Sequence, residues 1–242
     1  MGIDQRRITV KGDAAFDRAS IIKDGSHERP REPETLPRKS DQSNRQKILF
    51  LASNPASTQP LQLDEEIREI TQKSRASEYR DSIELVSHWA ARPDDLLQEM
   101  NTHRPAVLHF SGHGNPEGGL MLLDSKRNAK VVRPEALRAL FAAMGNCVRF
   151  VVLNACHSAA QASIIAEQVD CVVGMNAAGS DEVAILFAAS FYRALAFGRS
   201  AQEALEQGRV AVLFEDLGEE DIPQLTTRNG VNPTTLYLVS PE

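Results

Sequence analysis

From Lys47 onward, short apolar runs bounded by turn residues alternate with stretches of helical periodicity. That alternation predicts an α/β fold in which helices cover both faces of a mostly parallel sheet. Residues 48–52 read as the first strand, and the loop SNPASTQP after them holds two prolines that stop any helix there. Leu61, Leu63, Ile67 and Ile70 fall near helical spacing, so an amphipathic helix is expected over about 61–78. Further strands are expected at 82–89, 106–110, 119–124, 148–154 and 171–175, and a final one at 235–239. Helices are expected at 93–101, 133–144, 158–168, 181–197 and 200–215, with an acidic, turn-rich stretch at 217–233.

Residues 24–46 carry three prolines, mixed charges and one large aliphatic residue, Leu36, too little to offset the cost of ordering. The division expected is therefore a flexible tail and linker over 1–46 and one domain over 47–242. At 242 residues and 42% apolar content the chain can bury one sizeable core. Its 27 basic against 33 acidic residues give a formal charge of -6, which disfavours nucleic acid and anionic lipid as partners. No apolar run approaches the roughly 20 residues that cross a bilayer, and the start lacks a signal-peptide core, so a cytoplasmic location is expected. Three cysteines without CxxC spacing argue against a disulfide framework and against structural zinc.

In open α/β sheets, sites form beyond the carboxyl ends of the strands. Two such ends carry reactive side chains: His113 follows one strand in HFSGHG, and Cys156 follows another in VVLNACHS. Neighbouring parallel strands would bring thiol and imidazole to one cleft, where the imidazole raises the thiolate fraction and later protonates a leaving amine. Glycines flank His113 and suit a tight turn. The Gly114 and Cys156 amides are candidate oxyanion donors, and the helix expected after Cys156 would favour a thiolate.

The run S-G-H-G after a strand, some forty residues, and then N-A-C-H-S after an apolar strand resembles the caspase-like cysteine peptidases. VDCVVGMNAAGSDEVAILFAASFYRALAFGRS and the AQEALEQG helix after it resemble the bacterial CHAT branch, related to separases. The resemblance spans about 47–240 and implies a caspase-like three-layer sandwich, with His113 as general acid/base and Cys156 as nucleophile. It implies no cofactor and no metal. It also implies a protein or peptide substrate, and switching by a partner or by processing in bacterial defence or signalling. The chain departs from the family at Asn154-Ala155-Cys156-His157-Ser158: animal caspases have Q-A-C-x-G, and metacaspases have Asp where Asn154 stands. Specificity for Asp is therefore not implied. Several relatives prefer Arg or Lys through an acidic pocket, for which Asp181 is the candidate floor; the alternative for Asp181 is a helix N-cap.

Blander readings accompany these. Cys147 and Cys171 read as core thiols, His109 as a satisfied core histidine, and Asp64, Glu65, Glu66 and Glu69 as a solvated helix face. Zinc at His109, His113, His157 and Cys156 is disfavoured because no carboxylate falls at ligand spacing. His157 could compete with His113 as base, but a residue next to the nucleophile usually points away. SGHGNPEGG lacks the G-K-[ST] ending of a phosphate loop. Two rivals remain for the whole chain: a non-catalytic caspase-fold domain that binds a partner, and a cysteine hydrolase of small amides.

Overall fold

A computed structural model describes residues 45–117 and 119–240. Of the tail and linker expected over 1–46, residues 1–44 lie outside the described residues, the basic stretch except for Arg45 among them, and Gln46 already belongs to the first strand.

Six strands form the central sheet: β1 (Gln46–Ser53), β2 (Ile83–Trp89), β3 (Val107–Gly112), β6 (Phe150–Asn154), β7 (Cys171–Met175) and β8 (Pro223–Thr227). Their order is β2-β1-β3-β6-β7-β8, parallel throughout except for β8. β4 (Leu120–Leu123) and β5 (Ala129–Val132) make a separate antiparallel hairpin. The helices are α1 (Leu63–Arg75), α2 (Pro93–His103), α3 (Pro134–Met144), α4 (Ala159–Ile165), α5 (Asp181–Ala196) and α6 (Ala201–Phe214).

Strand periodicity divides the core into two. Ile48, Phe50, Val107, Phe150, Val152, Cys171 and Val173 pack beneath α1, α5 and α6. Leu49, Leu51, Leu108, Phe110, Val151, Leu153 and Val172 face α2, α3 and α4. Successive side chains point to opposite faces, so these continuous apolar runs serve a sheet covered on both sides. The result is the expected three-layer sandwich.

The chain steps outward from β1 to β2, then returns across β1 to β3. This reversal leaves a crevice beyond the carboxyl ends of β1 and β3, the usual ligand position in such sheets. β3 and β6 are parallel neighbours, with Ser111 opposite Asn154.

Two expectations change. Residues 235–239 form no strand: Leu236 and Leu238 are buried, but the only pairing there is a bridge from Ser200 to Tyr237. The Leu236 carbonyl instead accepts from Ala201 N–H at the start of α6, and the Tyr237 carbonyl from Arg149. The sheet edge belongs to β8, in the stretch read as turns. α4 is also shorter than expected, at seven residues.

Candidate active site

His113 leaves β3 at the sheet's carboxyl edge, and its loop is held by the β4 hairpin. Met121 N–H donates to the His113 carbonyl (2.9 Å), and Asn115 N–H to that of Gly119 (3.0 Å). The His113 Nε2 lies 2.8 Å from the Gln59 carbonyl oxygen, in the proline-bracketed loop after β1. A carbonyl only accepts, so in this contact Nε2 carries the proton and Nδ1 is left as the basic nitrogen.

Cys156 follows β6 and is half-buried. The turn that carries it is fixed by Ser158, whose hydroxyl donates to the Leu153 carbonyl (2.8 Å) and accepts from Met175 N–H (2.9 Å). Ser158 thereby ties the end of β6 to β7. His157, next in the chain, takes a left-handed φ of 57° and donates its N–H to the Ala177 carbonyl.

One pocket joins the two chain segments. Its wall includes His113, Cys156, Ser111, Asn154, Leu61, Leu63, Glu66 and Ile222, and also Gly179, Ser180 and Asp181. His157 is not part of it. Gly114 is packed so closely on Cys156 that an added Cβ would lie 2.0 Å from the Cys156 carbonyl oxygen. Among the described residues, neither the Gly114 nor the Cys156 N–H donates to another group.

Asp181 is the first residue of α5, and the N-cap is Ser180, whose hydroxyl accepts from Val183 N–H. The Asp181 Oδ2 accepts from Gln62 N–H at 3.0 Å, which ties α5 to the start of α1. Asp181 therefore lines the pocket with one oxygen already engaged.

Glu66 overturns its expectation. It is 2% exposed rather than solvated, because Leu63, Glu66, Ile70 and Ser74 form the buried stripe of α1. Its Oε1 accepts from Asn154 Nδ2 at 2.6 Å, and its Oε2 accepts from the Ser111 hydroxyl. His109, fully buried, brings Nε2 to 2.9 Å from Oε1, off the N–H axis, so this contact is electrostatic rather than a directed hydrogen bond. Its Nδ1 meets the Tyr192 hydroxyl at 3.0 Å. Burial, and then the Glu66 carboxylate, push the Tyr192 phenol well above its usual range, so it keeps its proton. Spacing could have exposed Glu66: it stands three residues after Leu63 and four before Ile70. Gln59 acts through its backbone and Ile222 precedes an unforeseen strand, so neither carried a side-chain signal.

Among the described residues, no three His, Cys, Asp or Glu side chains are grouped to hold a metal ion. Nor is any helix there long and apolar enough to cross a membrane.

The sheet order, the two helical layers and this crevice define a caspase-like α/β fold. The gingipain R structure, described as an Arg specific cysteine proteinase, superposes with a TM-score of 0.55 at 10% identity, over 79% of this chain and 47% of its own. Caspase-1 from Spodoptera frugiperda gives 0.53 at 10%, over 82% and 92%. Residues 26–224 match the CHAT domain, and the chain belongs to that family. A Roc-COR-CHAT protease from an unknown prokaryotic organism is 27% identical over 171 residues, 68% of this chain and 16% of that protein. A probable protease of Gillisia limnaea is 22% identical over 153 residues, 61% of this chain and 26% of that protein. The chain thus spans about a quarter or less of the length of these relatives.

Proposed function

We propose that the chain is a cysteine endopeptidase domain that hydrolyses peptide bonds with Cys156 as nucleophile and His113 as general acid/base. The observation that carries this reading is the single pocket lined by both residues at the joined ends of β3 and β6. The Nε2 contact with Gln59 leaves Nδ1 to take the thiol proton. The thiolate then attacks the scissile carbonyl carbon, and the Gly114 and Cys156 amides receive the charge that develops on its oxygen. Collapse breaks the C–N bond, the imidazolium returns its proton to the amine, and water activated by the same imidazole releases the acyl group.

For the residue preceding the cut we propose Arg or Lys. Among the described residues the pocket wall includes Glu66 and Asp181 and no Lys or Arg. Asp181 has its second oxygen to offer, whereas Glu66 is already surrounded by donors. The naming of gingipain R as Arg specific supports the same preference. Switching by a partner protein, or by processing within 24–46, in a bacterial defence or signalling pathway belongs to the same proposal; mapping new N-termini after incubation tests the processing.

Peptide hydrolysis by wild type, Cys156→Ala and His113→Ala tests the chemistry. Each variant should lose turnover by roughly 10³-fold or more, and wild-type turnover in either overturns the assignment. An electrophilic peptide that labels Cys156 separates an enzyme from a caspase-fold domain that only binds.

A further inference from the structure

Glu66 is a buried acid at the pocket wall that takes no part in the chemistry above. Hydrogen-bond donors from two residues converge on it, and both stand at corresponding places in the two strands that end at the pocket. Ser111 and Asn154 are register partners across β3 and β6. Ser111 precedes His113 by two residues, and Asn154 precedes Cys156 by two. The carboxylate takes Ser111 on one oxygen and Asn154 on the other, so a single planar group spans both strand ends. The surrounding layer is apolar, with Leu63, Ile70, Phe50 and Val152 close in the same core. Apolar side chains would serve stability at that place as well as an ion does. What they cannot do is fix the polar ends of two neighbours in one orientation.

We propose that Glu66 is a positioning residue that holds the ends of β3 and β6 in register so that Cys156 and His113 meet, which rests on the reading of those two as a dyad. It acts through Ser111 and Asn154 and not on the substrate. His109 of β3 stands beside the acid, and Tyr192 of α5 holds the other side of the imidazole ring.

The test follows alkylation of Cys156 by iodoacetamide from pH 5 to 9, read by mass spectrometry of its own peptide, together with kcat and KM for peptide hydrolysis. It uses the full chain as wild type, Glu66→Ala, Glu66→Gln, Ser111→Ala and His113→Ala. Glu66→Ala should lower kcat at least tenfold with KM within about twofold, and should move the pH profile of alkylation toward that of His113→Ala. Glu66→Gln, which keeps the shape and a hydrogen-bonding end, should restore most of kcat. A folded Glu66→Ala with wild-type kcat and profile overturns the proposal. So does a rise in KM alone, which would make Glu66 a reader of substrate. If Glu66→Ala gives no cooperative thermal transition, Ser111→Ala decides: a several-fold fall in kcat supports the positioning role and wild-type values overturn it. An alkylation profile indifferent to His113→Ala in the otherwise native chain instead removes the dyad itself.

Discussion

Gly114 shows how little space separates the two segments of the site. With 2.0 Å between a hypothetical Cβ and the Cys156 carbonyl oxygen, any side chain there must push the two loops apart. Gly114→Ala should therefore cost about 10²-fold in turnover, the scale of an ångström-sized misplacement, and kinetics beside a thermal melt measure it. The placement of Cys156 and His113 beyond the ends of neighbouring strands was legible because reactive side chains at strand ends interrupt apolar runs. Glu66 was masked by its neighbours: Asp64 is exposed and Glu65 pairs with Arg68 at 2.9 Å, so three consecutive acids read as one surface although the helix turns the third inward. Its spacing from Leu63 and Ile70 outweighed its charge because Ser111 and Asn154 supply the donors that burial of a carboxylate requires.

At the level of elements, α5 and α6 meet where Gly208 lies against the Phe187 ring, 2.6 Å from where a Cβ would stand. An alanine inside a helix ordinarily gains up to about 1 kcal/mol over glycine. Here the ring must move, and overpacking of that kind costs about 1–3 kcal/mol. Gly208→Ala should thus destabilise the protein, which denaturant unfolding would read. α6 begins with a reciprocal cap: Ser200 Oγ accepts from Glu203 N–H while the Glu203 carboxylate accepts from Ser200 N–H at 2.8 Å. Those bonds from Ser200 hold the Glu203 carboxyl below its usual range, so the cap is complete above the normal carboxylate range and weakens as acid protonates it. Ser200→Ala should cost about 1 kcal/mol at neutral pH, a deficit that shrinks in acid, as melts across pH would show. Long periodic elements such as α5 and the apolar strand β7 were legible almost to the residue. β8 was not, because PQLTT carries one large apolar side chain and an edge strand needs no buried face on both sides. Residues 235–239 have the alternation of a strand, yet their apolar side chains satisfy the core from a loop docked on α6.

Across the whole molecule, the two apolar layers meet through the sheet, and Cys171 lies in the layer beneath α5 and α6. Burial, reinforced by Asp170, pushes its thiol up to about 12 from 9.0. Below pH 9 the thiol is protonated in both folded and unfolded chains and contributes nothing differential. Above it the unfolded chain ionises first, so stability falls as pH rises from 9 toward 12, by at most about 1.4 kcal/mol per unit from this group. Cys171→Val should remove that component, and the gap between the two proteins in denaturant melts at pH 8 and 10.5 would reveal it. The same enclosure keeps Cys171 unreactive at neutral pH, whereas Cys156 is half-buried and lines the pocket.

The partner that orients the His113 ring is a main-chain oxygen, which no replacement at position 59 deletes. Its aim is set by Pro60, since a residue before proline is confined to extended conformations. An alanine scan would pass over Gln59 as though it were idle. The sensitivity surfaces one position later, where Pro60→Gly should slow turnover several-fold while Gln59→Ala leaves it untouched.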